Sequence, residues 1–228
     1  MFSLLTIEDK ILLDPSQFDE LIHGSKKKHN KKEKIDNKNE IKKYSDLVYL
    51  KLREKYISKI IIDQGLVVSI KDFKIMSDLI VEIEGVIDIK YECNLIIFSP
   101  REGDILYGTI FDSNQKSIIV DCGIIKVKVS TKELMEPYYF NKKEELWFWS
   151  YDGKNYYYEK NAKCRLKVLY VNFKSGKDIS KLINDKMLET NEGEKKEEVE
   201  VNTLQREDIM EIYCTMSQEG LGPIKWWD

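Results

Sequence analysis

The chain has 228 residues, and its 37 Lys+Arg against 40 Asp+Glu leave a formal net charge of −3. Hydrophobic residues make up 42%, which excludes a wholly disordered chain, and no apolar run is long enough to span a membrane. The near-neutral sum argues against a surface that embraces nucleic acid everywhere, while leaving local patches open.

In chain order, Phe2–Leu13 reads as a strand of β-formers broken at Asp14-Pro15. Pro15 suits the first turn of a short helix whose Phe18, Leu21 and Ile22 share one face. Residues 24–43 then change character, with nine lysines against Glu33, Asp36 and Glu40, and read as a solvated, disordered insert of net charge +6. Helical spacing resumes at Leu47, Leu50 and Leu52 through Tyr56. Apolar segments at 60–62 and 65–70 follow, and 86–98 alternates Ile87, Ile89, Tyr91 and Cys93 against Asp88, Lys90 and Glu92. Residues 1–98 thus form a small α+β domain with helices packed on a sheet.

The turn cluster Ser99-Pro100-Arg101-Glu102-Gly103-Asp104 marks the boundary to a second domain, 99–228. Short strands are predicted at 105–111, 117–121, 124–129, 145–151, 155–158 and 164–173, with a last one at 209–216. Five or six such strands suggest a small closed barrel of the OB type. The excursion at 174–208 is charged and poor in apolar residues, with a net charge of −4 over 189–200, and reads as a loop or weakly helical segment.

Chemistry-bearing patterns are few. His23 and His29 flank the lysine run, and Cys93, Cys122, Cys164 and Cys214 form no C-x-x-C pair. No metal, cofactor or catalytic site is expected, and reduced buried thiols are the simpler reading. The N-terminus has no basic segment ahead of a long apolar stretch, so the cytosol or nucleus is expected. Arginines number four (Arg53, Arg101, Arg165, Arg206) against 33 lysines, which weakens any expectation of base-specific readout.

The barrel carries the more specific pattern. In its third strand Ile125, Val127 and Val129 alternate with Lys126 and Lys128, which puts the lysines on the outer face beside Lys116 and Lys132. OB barrels hold single-stranded nucleic acid on such a face, with a basic groove and stacked aromatics. No aromatic is expected beside these lysines, so the patch reads equally well as an ordinary polar face. Gly108 would permit a sharply coiled first strand, and Ser130 would cap a short helical turn. Trp147 and Trp149 share one face of their strand, and the terminal Trp226-Trp227 pair must pack on the barrel, the other domain or a partner.

Several of these segments together resemble a known family. Met1-Phe2, Ile11-Leu12-Leu13 before Pro15, Gln17-Phe18, the turn Ile97-Phe98-Ser99-Pro100 and the S1-like segment around Gly108 are similar to the larger stalk proteins of archaeal and eukaryotic RNA polymerases, the seventh-subunit family. Trp147-Phe148-Trp149-Ser150-Tyr151 and the ending Gly220-Leu221-Gly222-Pro223-Ile224-Lys225-Trp226-Trp227 resemble the RNA polymerase III branch. The resemblance implies an RNP-like tip domain, an S1-type OB barrel and a non-catalytic role in the nucleus. It also implies a smaller helical partner subunit, docking on the polymerase core near the clamp, support of initiation, and contact with single-stranded RNA. On this reading Phe2, Leu4, Pro15 and Phe18 fall in the tip that meets core and partner. Trp226 and Trp227 match the terminal motif, and Lys116, Lys126, Lys128 and Lys132 face RNA. The lysine-rich insert and the lysines of the third strand, where relatives begin with an acidic pair, depart from the family pattern. The alternatives are a free-standing S1-type RNA-binding protein in RNA processing or translation, or the stalk subunit of another polymerase.

Overall fold

The structure is a computed structural model that describes residues 1–13, 37–76, 80–81, 87–174, 178 and 206–227. The expectations at Pro15, Phe18, His23 and His29, most of the lysine-rich stretch and most of the acidic excursion lie outside these residues. The chain divides into two compact units, one of Phe2–Lys59 and Leu66–Phe98, the other of Ser99–Asp228 with Met1 and Ile60–Gly65.

The N-terminal sheet is built on strands β1 (Phe2–Leu13), β2 (Ile60–Ile61), β3 (Gly65–Ile75), β4 (Ile80–Val81) and β5 (Ile87–Phe98), with helix α1 (Asn37–Tyr56) between β1 and β2 in the chain. The sheet order is β1-β5-β3-β2, and β4 pairs with β5. β1 and β5 are antiparallel over their full lengths, from Phe2 opposite Phe98 to Leu13 opposite Ile87. Period-two geometry therefore sends Ile11 and Leu13 to one face with Ile89, Tyr91, Cys93, Leu95 and Ile97, all buried. In α1, Val48, Leu52 and Tyr56 recur every four residues and share a face, Val48 and Leu52 being fully buried. Leu50, expected inside, points outward and is 48% exposed, because it lies half a turn from that stripe.

The end of α1 is fastened to the sheet by a polar cluster. Lys55 Nζ donates to Asp9 Oδ2 at 2.7 Å and to the Lys10 carbonyl at 3.0 Å. The Tyr56 hydroxyl lies 2.7 Å from both Asp9 Oδ2 and the Tyr91 hydroxyl. Partial burial would raise the Asp9 carboxyl, but the bonds from Lys55, Tyr56 and the Lys10 N–H outweigh it and hold the pKa at about 2.

The second unit contains β6 (Ile105–Ser113), β7 (Ser117–Asp121), β8 (Lys126–Ser130), β9 (Tyr138–Asn141), β10 (Leu146–Tyr151), β11 (Lys154–Tyr157), β12 (Lys163–Phe173), the short helix α2 (Arg206–Ile209), β13 (Met210–Thr215) and β14 (Gly222–Pro223). The path β13-β8-β7-β6-β12 closes on itself because β12 also pairs with β13, while β14 hangs on β12. Counting barrel strands in chain order, the ring reads 1-2-3-5-4-1, and strand 5 runs parallel to strand 3. That closed five-stranded Greek key is an OB-fold. Leu106, Ile110, Ile118, Val120, Val127, Val129, Leu166, Val168 and Ile212 fill its core, each at most 3% exposed.

Three expectations are corrected here. The strands carrying Trp147 and Tyr157 do not enter the barrel but form a separate three-stranded sheet, β11-β10-β9, and β9 is a strand that the sequence pattern does not predict. Five strands already close the barrel and small aliphatics fill it, so indole rings have no room inside. Ser130 occupies the position before a 3-10 turn at Thr131–Glu133, but its side chain makes no capping bond. Gly108 is required for a different reason from the one expected. A Cβ there would lie 2.6 Å from Val120 Cγ1 and 2.8 Å from the Asp121 carbonyl oxygen.

The terminal tryptophans pack within their own unit. Trp226 lies 5.7 Å from Trp149 and 5.9 Å from Tyr156, centroid to centroid, while Trp227 donates from Nε1 to the Leu221 carbonyl at 2.8 Å. Both indoles stay half-buried.

Candidate nucleic-acid interface

The outer face of the barrel is set by the register of its strands. In β8, Val127 and Val129 are buried, so Lys126 and Lys128 project outward. Lys128 stands opposite Ile119 on β7 and opposite Tyr213 on β13, and Lys126 stands opposite Asp121. Lys116 and Lys132 are exposed at the far end of the same hairpin, where the Thr131 N–H donates to the Lys116 carbonyl at 3.4 Å. The fold thus brings Lys126 and Lys128 together on one face and leaves Lys116 and Lys132 at its open end.

An aromatic does lie beside these lysines, contrary to expectation. β6 has a bulge between Ile110 and Asp112, and the intervening Phe111 projects outward, 46% exposed. Lys126 Nζ is 4.2 Å from its ring centroid and Lys160 Nζ is 5.9 Å away. The signal was present in the alternation Tyr107, Thr109, Phe111 against Leu106 and Ile110, but cross-strand proximity to Lys126 depends on the bulge. Farther around the barrel Tyr170 and Tyr213 are stacked, with centroids 4.5 Å apart and planes at 18°, and Tyr170 is 54% exposed.

Between these rings lies a cavity of about 330 Å³ lined by residues including Phe111, Asn114, Ile119, Lys128 and Tyr213. Two carboxylates, Glu207 and Glu211, border it, and both accept hydrogen bonds from residues of its lining. Glu207 accepts the Lys126 backbone N–H at 3.1 Å, and its neighbour Arg206 donates to the Ile124 carbonyl at 3.0 Å, which pins α2 to the hairpin. Glu211 accepts from the Tyr213 hydroxyl at 3.1 Å and pairs with Lys174 at 3.2 Å. Burial and the bond to Glu211 push the Tyr213 phenol up, so it acts as a neutral donor. Among the described residues, no ion pair ties up Lys116, Lys126, Lys128 or Lys132. The face therefore offers free cations beside exposed rings, the combination that holds single strands without reading sequence.

The described residues contain no group of three His, Cys, Asp or Glu placed to hold a metal. All four cysteines are free thiols, and burial pushes Cys122, Cys164 and Cys214 up to about 12.

Comparison with known proteins decides the family. The family described as "RNA polymerase III subunit Rpc25" matches residues 104–227, more than half of the chain. This chain belongs to that family. A "DNA-directed RNA polymerase III subunit rpc8" of Dictyostelium discoideum is 27% identical over 237 residues, covering 100% of this chain and 85% of that protein. The protein of the same description from Schizosaccharomyces pombe is 26% identical over 184 residues, covering 77% of this chain and 85% of that protein. Membership gives the OB barrel a place in RNA polymerase III as a non-catalytic subunit with a general RNA-binding role. It also favours the polymerase III branch over a free-standing S1 protein.

Proposed function

We propose that this chain is the larger subunit of the polymerase III stalk, pairing with a smaller helical subunit, docking on the polymerase core near the clamp and supporting initiation in the nucleus. The RNA-facing part of this reading is carried by Lys126, poised over the exposed ring of Phe111 next to Lys128 on the outer face of an OB barrel. Lys116 and Lys132 extend the positive potential along the hairpin, so RNA leaving the enzyme is held through its phosphates with little base preference.

The assembly part is supported by the outer face of the first unit's sheet. Phe2 and Leu4 are each 52% exposed there, and Phe2 lies 5.4 Å from Phe98. Exposed aliphatics and rings on one sheet end are what a protein partner covers. The family resemblance assigns Pro15 and Phe18 to the partner interface as well. Trp226 and Trp227, half-buried on Trp149, serve a partner through whatever ring surface they leave exposed.

Affinity purification of the tagged chain from its own cells tests the reading. Recovery of polymerase III subunits with a small helical protein in equal amount is expected, and Phe2→Asp with Leu4→Asp should release them. Recovery of the chain with ribosomal or RNA-processing proteins alone would overturn it.

A further inference from the structure

The opposite flank of β6 carries a second basic surface. In β12, Cys164, Leu166 and Val168 are fully buried, so Lys163, Arg165 and Lys167 alternate outward. The register sets them against β6, with Lys163 opposite Thr109, Arg165 opposite Tyr107 and Lys167 opposite Ile105. No acid stands opposite any of the three. Tyr107 is 62% exposed and Ile105 39%.

Such a row is unfavourable on its own. Alternate residues of a strand lie about 7 Å apart, within a Debye length at physiological salt, so the three cations repel one another. Lys55 and Lys10, by comparison, are paired with Asp9 and Asp88. Here Lys167 reaches only the neutral Gln218, at 3.2 Å, and no ion pair involves Lys163 or Arg165 among the described residues.

Arg165 adds an independent point. Arg53 lies over the Tyr49 ring and Arg206 bonds the Ile124 carbonyl. Arg165, in contrast, has a buried Nε with no hydrogen-bond partner among the described residues. No described carboxylate takes up its planar fork, and it stands across from an exposed tyrosine. Guanidinium and ring together suit a phosphate beside a stacked base.

We infer that the Tyr107, Lys163, Arg165 and Lys167 surface is a second binding segment for the phosphodiester chain of single-stranded RNA. It lies on barrel strands 1 and 4, and β6 with Tyr107 and Phe111 bridges it to the Lys126 and Lys128 face. This inference rests on the proposed RNA-guiding role and extends it: RNA crosses β6 from one basic flank to the other. A recess of about 420 Å³ lined by Tyr107, Thr109, Lys163 and neighbouring residues adjoins the path and has room for a base. Asp121, which separates Thr109 from Lys126 in the cross-strand row, also lines the recess and accepts the Gly123 N–H at 2.8 Å.

The test is fluorescence anisotropy of the full chain with a labelled oligouridylate of about 12 nucleotides, a length within the range of single barrels. Tyr107→Ala should weaken binding about tenfold. Lys163→Glu with Lys167→Glu should weaken it further and flatten the salt dependence by about 0.7 per lost phosphate contact. Arg165→Lys keeps the charge but not the fork, and should cost less than Arg165→Ala. Thermal melting checks that each variant is folded. Photo-crosslinking of the unaltered chain to a 4-thiouridine oligonucleotide should label Tyr107. If changes on both flanks weaken binding, the inference stands. If only Lys126→Glu with Lys128→Glu does so and Tyr107 is not labelled, the inference falls while the RNA-guiding role survives. If only the β12 changes matter, the inference stands and the β8 assignment falls. If the unaltered chain binds no RNA, both fall.

Discussion

Trp226 meets Tyr158 edge-on, with ring centroids 4.7 Å apart and planes at 69°. Tyr158 is fully buried, and its hydroxyl accepts the Met135 N–H at 3.1 Å. The contact joins the end of the chain to the small sheet carrying Trp149, so the terminal motif belongs to the fold as well as to any interface.

Removing that contact should therefore lower stability even without a partner. Trp226→Ala should cost about 2–3 kcal/mol, somewhat less than a fully buried indole. Gly222→Ala should also destabilise, because Gly222 has φ +84° and an added Cβ would come within 3.2 Å of Trp226 Cζ3. Denaturant melts of the isolated chain check both. Unchanged midpoints would mean that the pair matters only in the assembled polymerase.

Gly108→Ala should destabilise the barrel by about 1–3 kcal/mol, since the new methyl would collide with backbone as well as side chain of β7. The effect should appear in the hydrogen-exchange protection of β6 and β7 and leave the first unit's sheet unaffected.

Acid should loosen α1 from its sheet. Asp9 has a folded pKa of about 2, below its ordinary 3.8, so its contribution is complete above roughly pH 4 and is lost as pH falls toward 2. Burial opposes the Lys55 charge, but its bonds to Asp9 and Tyr91 prevail and raise its pKa, so that partner stays charged throughout this window. Asp9→Asn should lower stability near neutral pH and shrink the loss between pH 4 and 2. Urea melts across that range provide the measurement.

On the β8 face, Lys126→Glu with Lys128→Glu should weaken oligouridylate binding and reduce the slope of log affinity against log salt by about 1.4, two phosphates at about 0.7 each. Phe111→Ala should weaken binding about tenfold with little change in slope, because stacking releases no counterions. Titrations at several salt concentrations separate the two effects.

Much of the fold is legible in the sequence because period-two patterns are local. The full extent of β1, the outward turn of Lys126 and Lys128, and the OB class of the second unit all follow from alternation and turn residues. Leu50 escapes such a reading because two stripes on one helix differ by half a turn, and only the sheet beneath chooses between them. Alternation puts Trp147 and Trp149 on one face correctly, but no local pattern says which sheet a strand joins.

By itself, the sequence determined the family, through the W-x-W strand and the terminal tryptophan pair, and it determined which residues of β5, β8 and β10 share a face. Both are properties of neighbouring residues along the chain. The tertiary structure alone decided that Trp226 packs on Tyr158, that a bulge carries Phe111 under Lys126, and that Arg165, between Lys163 and Lys167, stands across from Tyr107 with no acid opposite. Those outcomes depend on register and ring closure, which bring together residues tens of positions apart, and no local spacing encodes them.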